Sequence, residues 1–181
     1  MDAKKKVQLA EIKKLRARTG AGMVDARNAL LEGGSFEKAL LILRRKGAKI
    51  LEEKSSRITS QGTIASYIHL GGKVGAMVEL KCETDFVARS EIFQKLAYEI
   101  AVQVAGMAPR YLSLESVPFE EKRKHQDLEG FAREFCLLEQ PLIKDPQKTV
   151  RELINEVAFQ VRENIGVVRF VRFALGEMDN A

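Results

Sequence analysis

Between Val74 and Val104 the spacing of the apolar residues changes once, and that change limits what the chain can become. Val74, Ala76, Val78, Leu80 and Cys82 alternate onto one face, the spacing of a half-buried strand. Ile92, Phe93, Leu96, Ala97, Ile100, Ala101 and Val104 then recur at helical spacing, with an apolar stripe facing a core. A strand that runs straight into an amphipathic helix needs a corner, and Cys82-Glu83-Thr84-Asp85-Phe86-Val87-Ala88-Arg89-Ser90-Glu91 supplies it. Ser90 is placed to cap the helix, and Glu91 in its first turn suits the positive end of the helix dipole. In this corner an acid, Asp85, stands beside a large aromatic, Phe86, and two neighbours there do not both turn inward easily. Two readings follow. Either Phe86 plugs the seam between strand and helix while Asp85 makes a turn hydrogen bond, or one of the two faces outward, and the exposed ring is an anchor for a partner.

The rest of the chain arranges itself around that corner. Helical periods predict three helices, over 7–19, 23–31 and from the Ser35 cap to Arg44-Arg45-Lys46-Gly47, separated by Gly20-Ala21-Gly22 and Gly33-Gly34. Residues 1–50 therefore read as a three-helix domain and 51–61, charged and without an apolar stripe, as a linker. The remainder, 62–181, reads as a core. A hairpin is predicted over 62–69 and 74–83, with Gly71-Gly72 at the turn. Further helices are predicted over 120–134 and from Lys148 to Asn164, with a last strand over 167–175. Hairpin and last strand make a three-stranded antiparallel sheet that needs a helix layer, and the two long amphipathic helices are expected to provide it. The fold class is α+β.

Composition narrows the function. Residues 1–57 hold 15 Lys and Arg against 7 Asp and Glu, a net charge of +8, and the remainder 15 against 18, a net charge of −3. A basic leader of this kind suits an acidic protein surface or nucleic acid. Gly20-Ala21-Gly22 lacks the preceding strand and the following Gly-Lys-Ser/Thr of a phosphate cradle. Phe36 is the one aromatic of residues 1–57, which disfavours base stacking, and no direct nucleic-acid contact is expected. Arg169, Phe170, Arg172 and Phe173 interleave on the last strand, a pattern open to a base-stacking surface or to an ordinary sheet strand. Cys82 and Cys136 stand far apart, and His125 has no Cys or His at ligand spacing. Neither a disulfide framework nor a metal is expected. No apolar run is long enough for a membrane span and no signal-peptide core opens the chain, so the expected home is the cytoplasm. No nucleophile–base set or carboxylate pair carries a local signature. The chain reads as a protein that acts by binding, with no catalytic residue and no cofactor.

Cys82-Glu83-Thr84-Asp85-Phe86-Val87-Ala88 closely resembles the signature of the translation elongation factor Ts family, the guanine-nucleotide exchange factors of elongation factor Tu. Leu15-Arg16-Ala17-Arg18-Thr19-Gly20-Ala21-Gly22-Met23 is similar to the family's amino-terminal signature, a ubiquitin-associated-type three-helix domain that docks on the nucleotide-binding domain of elongation factor Tu. Arg16 and Met23 match, and Val24 stands where a second Met is common. Tyr67-Ile68-His69 with Lys73-Val74-Gly75, and Glu163-Asn164-Ile165 with Arg169-Phe170 and Arg172-Phe173, also resemble family motifs. The chain departs from its relatives in being shortened over 112–140, before Leu138-Glu139-Gln140-Pro141, and in having room for one sheet-and-helix core rather than two. The resemblance implies a three-helix bundle followed by a three-stranded antiparallel sheet packed with helices. It implies elongation factor Tu, GDP-bound and nucleotide-free, as the partner. Thr84, Asp85, Phe86 and Val87 would be the exchange wedge near the partner's magnesium and phosphate site, with Leu15, Arg16, Met23, Val24 and His69 as further contacts. It also implies a short form that pairs into a homodimer through the sheet of 62–83 and 165–175. The alternative from composition alone is a basic RNA- or ribosome-associated module with 1–57 as its arm.

Overall fold

The computed structural model describes residues 8–54 and 57–177, and for 48–54 the backbone alone. Val7 and Ser55-Ser56, which the sequence assigns to the first helix and the linker, lie outside the described residues. The described residues form two compact units: one holds those up to Arg57 together with Asn155–Asn164, the other Ile58–Ile154 with those from Ile165 to Glu177.

The first unit contains α1 (Leu9–Thr19), α2 (Met23–Gly33) and α3 (Phe36–Lys54). Gly20 and Gly34 end α1 and α2 in the left-handed region, at φ of 67° and 68°, and return their N–H groups to the carbonyls of Arg16 and Leu30 at 2.8 and 3.1 Å. A side chain is strained in that conformation, so glycine is the natural stop. Ile12, Leu15, Ala26, Leu30, Ala39 and Leu43 make the core, with Phe159 packed against it. Small alanines at the helix crossings let the three axes approach closely.

Gly47 was expected to close the third helix, but α3 runs on to Lys54. A glycine inside a helix costs only about 1 kcal/mol relative to alanine. Here it is buried facing the Phe159 ring, and the strong helix formers of 48–54 follow it.

The second unit is built on β1 (Gln61–Ile68), β2 (Val74–Cys82) and β3 (Gly166–Ala174), in the order β1-β2-β3, with both pairings antiparallel. The hairpin turn closes through His69 N–H to Val74 O at 2.8 Å and Gly72 N–H to His69 O at 2.9 Å. Ala65 lies opposite Val78, and Val78 opposite Phe170. A bulge at Glu79/Leu80 shifts the register of the β2–β3 pair.

Ala76, Val78, Leu80 and Cys82 are buried on one face. There they meet α5 (Glu91–Met107), which contributes Phe93, Leu96, Ala97, Ile100, Ala101 and Val104 to the core and packs on all three strands. The mixed α+β class is thus as expected, but its helix layer differs. In the second amphipathic helix, α8 (Val150–Val161), Asn155–Val161 belong to the first unit rather than covering the sheet beside α5. The reason is side-chain partnership: Phe159 packs into the cluster of α1–α3, a match that period alone does not reveal.

The single helix expected over 120–134 is two, with α4 (Asp85–Arg89) lying further upstream at the corner. After a 3₁₀ turn at Leu114–Ser116 come α6 (Phe119–Lys122) and α7 (Leu128–Phe135). Asp127 breaks the run. Its carboxylate accepts the Gly130 N–H at 2.9 Å, a capping bond that holds Asp127 itself out of helical dihedrals, at φ −100° and ψ 90°. Behind α7, Gln103 and Gln140 are both buried and both satisfied. The Gln140 amide donates to Glu134 O at 2.8 Å, and Gln103 donates to Pro141 O at 3.0 Å while accepting the Ile143 N–H at 3.0 Å. This bracket ties the 134–143 segment to α5.

Cys136 lies in the same core, with Val117, Phe131 and Ala132. Burial pushes its thiol up to about 11, helped by the carboxylates of Glu139 and Glu115. Its ordinary value is 9.0, so the native state holds this proton the more tightly. The resulting stabilisation is complete below the unfolded value and lost as pH rises towards 11. Urea midpoints measured at pH 8 and pH 11 are expected to fall by the equivalent of about 2 kcal/mol more for the native chain than for Cys136→Ala.

Candidate functional site

The corner after β2 is a helix of its own. α4 spans five residues, Asp85–Arg89, between β2 and α5. Thr84 caps it: extended at φ −120° and ψ 156°, its hydroxyl accepts the Val87 N–H at 3.4 Å, while the Cys82 thiol donates to Thr84 O at 3.2 Å. At the far end Ser90 serves both helices. Its hydroxyl donates to Val87 O at 2.7 Å and accepts the Phe93 N–H at 3.4 Å, so the expected cap of α5 is also the stop of α4. Gln94 reaches back from α5 to donate to Ala88 O at 2.6 Å.

This single turn excludes the first of the two readings of Phe86. Ala88 is the buried residue of α4, and Phe86 stands 85% exposed; it does not plug the seam. Holding a phenyl ring in water forgoes about 2–3 kcal/mol of burial. Val87 beside it is part-buried and Thr84 is exposed. Asp85 pairs with Arg89 across one turn at 3.4 Å. At this exposure such a pair contributes a few tenths of a kcal/mol at most, so the Asp85 carboxylate is free to exchange Arg89 for another donor.

The first unit gathers three of the expected residues at the α1–α2 junction. Met23 and Val24, in the first turn of α2, are 48% and 70% exposed. Arg16 is exposed, and its Nε donates to Ala21 O at 3.2 Å, which fastens the side chain along the Gly20–Gly22 loop. Leu15 is different. It is 0% exposed at the centre of the bundle and offers no surface for a direct contact.

His69 sits at the hairpin turn, beside the Ile68–Gly75 pair, whereas α4 follows the Gln61–Cys82 pair at the other end of the same hairpin. The two are separated by the eight-residue length of β1, roughly 25 Å at the rise of a strand. His69 Nδ1 is 2.9 Å from the Tyr67 hydroxyl, and the Tyr67 ring meets Tyr98 of α5 edge-on with centroids 5.8 Å apart. Residue spacing gave no sign of Tyr98, which comes to Tyr67 only through the packing of α5 on β1.

The face of the sheet away from α5 is apolar as well. Ile64, Ile68, Met77, Val171 and Phe173 are exposed there, beside the cross-strand pair of Arg169 Nε with Glu79 at 2.7 Å. The hydrogen bond from Arg169, with the positive charges of Arg169 and Lys81, holds the Glu79 carboxyl below the usual carboxylate range. Arg172, three residues on, turns to the other face and donates to Ala105 O at 3.1 Å, clamping β3 to the end of α5. Among the described residues no group of three or more His, Cys, Asp or Glu is arranged to hold a metal ion. No described helix is long and apolar enough to cross a membrane.

A family model described as Elongation factor TS matches residues 11–129 and 119–177. The chain is 43% identical to Elongation factor Ts of Caldanaerobacter subterraneus subsp. tengcongensis, over 92% of this chain and 95% of that one. It is 44% identical to Elongation factor Ts of Thermotoga neapolitana, over 94% and 98%, and 41% identical to Elongation factor Ts of Desulforamulus reducens, over 94% and 90%. The first of these alignments runs over 190 positions, more than the 181 residues of the chain, so the relative carries residues with no counterpart here. The two stretches matched by the family model overlap at 119–129, inside the 112–140 segment that the sequence marks as shortened. With both signatures inside the matched stretches and similarity along nearly its whole length, the chain belongs to the elongation factor Ts family, and so to the translation elongation factors.

Proposed function

We propose that the chain is a guanine-nucleotide exchange factor that binds elongation factor Tu·GDP and promotes release of GDP by inserting the Asp85-Phe86 turn beside the partner's magnesium and phosphate site. The observation that carries this reading is Phe86 itself, exposed on a turn braced at both ends. No bond is made or broken. A factor of this kind works because it binds the nucleotide-free, distorted partner better than the GDP-bound one. Contacts to Mg²⁺ and the phosphates hold the nucleotide in place in this class, so a ring wedged among the groups that make them weakens GDP, and the Asp85 carboxylate competes for their hydrogen-bond donors. Linkage makes the effect mutual: GDP weakens the factor's binding by the same ratio.

Besides the wedge, Arg16, Met23 and Val24 dock the amino-terminal domain, residues 1–50, on the partner's nucleotide-binding domain, with Leu15 supporting them from beneath. His69 makes a separate contact from the far end of the hairpin. The test is release of a fluorescent GDP analogue from purified elongation factor Tu, with and without the protein. Acceleration by substoichiometric amounts supports the reading. No acceleration at any concentration, with elongation factor Tu from several bacteria, overturns it.

The same reading includes a homodimer formed through the outer face of the sheet. Phe173, 60% exposed on β3, then lies at the two-fold interface. Phe173→Glu adds a charge where the lone subunit already meets water, so the fold is expected to survive and the dimer to be lost. Sedimentation equilibrium is expected to show half the mass of the native chain. A native chain that already sediments as a monomer at high micromolar concentration excludes the dimer.

A further inference from the structure

We propose that Gln94 is a positioning residue for the wedge: its side-chain amide latches the far end of α4 and so sets the direction in which Phe86 stands. The proposal rests on the exchange reading above.

A helix of five residues does not persist on its own, because the first turn fixes several dihedral angles for each hydrogen bond gained. Within α4 the backbone closes few bonds, among them Ala88 N–H to Thr84 O at 3.1 Å and Ser90 N–H to Val87 O at 3.0 Å. Side-chain packing adds little, since the buried residue of α4 is an alanine. The Phe86 ring is in solvent, so no neighbour holds it in place. Its direction is set by the backbone of α4, and that backbone is set by what grips its ends.

The upstream end is held by β2 and by the Thr84 cap. At the downstream end the last carbonyls of a helix have no partner within it. Here two side chains take them: Ser90 takes Val87 O and Gln94 takes Ala88 O. Ser90 also caps α5, so replacing it disturbs both helices. Gln94 is exposed and stands clear of the α5 cap, with its Nε2 2.6 Å from a carbonyl six residues back. An exposed glutamine is ordinarily left to water. This one closes the turn that carries Phe86, two residues before the carbonyl it binds. A preformed turn lowers the ordering cost of inserting an anchor, and small displacements of an anchor translate into large losses of rate.

The test uses the full chain and two substitutions at this exposed position. Gln94→Met keeps the length and loses the donor, whereas Gln94→Lys retains an N–H donor at the end of a flexible stem. In Gln94→Met, hydrogen exchange at the amides of Ala88 and Ser90 is expected to quicken roughly tenfold, with the rest of the chain unchanged. The maximal rate of GDP release at saturating factor is expected to fall by roughly the same factor. The half-saturating concentration should move little, because the Arg16–Val24 surface is untouched. Gln94→Lys is expected to restore both readouts.

A purely structural role for Gln94 would lower the active fraction and leave the maximal rate at saturation intact; that result overturns the proposal. So does unchanged protection of α4 in Gln94→Met, or a lysine variant as impaired as the methionine one, when the native chain is active and Phe86→Ala is not. A native chain that does not accelerate GDP release at all is the separate failure of the exchange reading, and the positioning role falls with it.

Discussion

Phe86→Ala is expected to reduce acceleration of GDP release by at least about 100-fold and to leave the fold intact. The ring is 85% exposed and packs on no core, so its removal leaves no cavity. The Thr84 and Ser90 caps of the turn involve backbone and hydroxyl groups that the substitution does not touch. Thermal unfolding should therefore stay within about 0.5 kcal/mol of the native chain, as for a surface change. Two measurements check this: nucleotide release from elongation factor Tu at increasing factor, and the urea midpoint of the free variant. Full activity in a normally folded Phe86→Ala would remove the wedge from the mechanism. A loss of several kcal/mol would mean that the ring is packed in solution.

Seven residues on, Phe93→Ala is expected to do the reverse. Phe93 is 0% exposed, in the first turn of α5 against the sheet. Truncating a fully buried phenylalanine costs about 3–5 kcal/mol, the lost transfer energy plus the cavity left behind. For a chain of this size that is a large share of the net stability, which is of order 5–15 kcal/mol. The variant should unfold at much lower urea. Any exchange activity that remains should scale with the folded fraction, with the maximal rate of that fraction unchanged. The two phenylalanines thus give opposite signatures from the same chemical change. A small stability loss in Phe93→Ala would mean that the sheet and α5 are less closely packed than the structure has them.

Much of this architecture was legible in the chain. The alternation of Val74–Cys82 and the 3.6-residue period from Phe93 to Val104 read directly as β2 and α5, because each reports a face repeated at the spacing of its own backbone. Gly20 and Gly34 were visible as stops because few residues other than glycine take a positive φ at little cost. Ser90 was visible as a cap, though not as a cap for two helices. Asp127, an ordinary acid in a charged run, gave no warning that its carboxylate would split 120–134 into α6 and α7. Nor did Gly47, which continues α3 where a stop was expected.

The sequence alone determined where strands and helices alternate, that the class is α+β, and which residues carry the signatures of the elongation factor Ts family, since each of these depends on neighbours within a few positions. Only the tertiary structure decided which side chains meet water. Leu15 and Arg16 are adjacent, yet one is central to the bundle and the other is on its surface. The amphipathic stripe of α8 promised burial but not the company of α1–α3 that Phe159 keeps. Phe86 and Phe93 are the same residue seven positions apart, and it is the turn held by Thr84, Ser90 and Gln94 that turns one ring outward and leaves the other beneath the sheet. Exposure is a property of long-range packing, and packing joins residues whose separation in the chain carries no period to read.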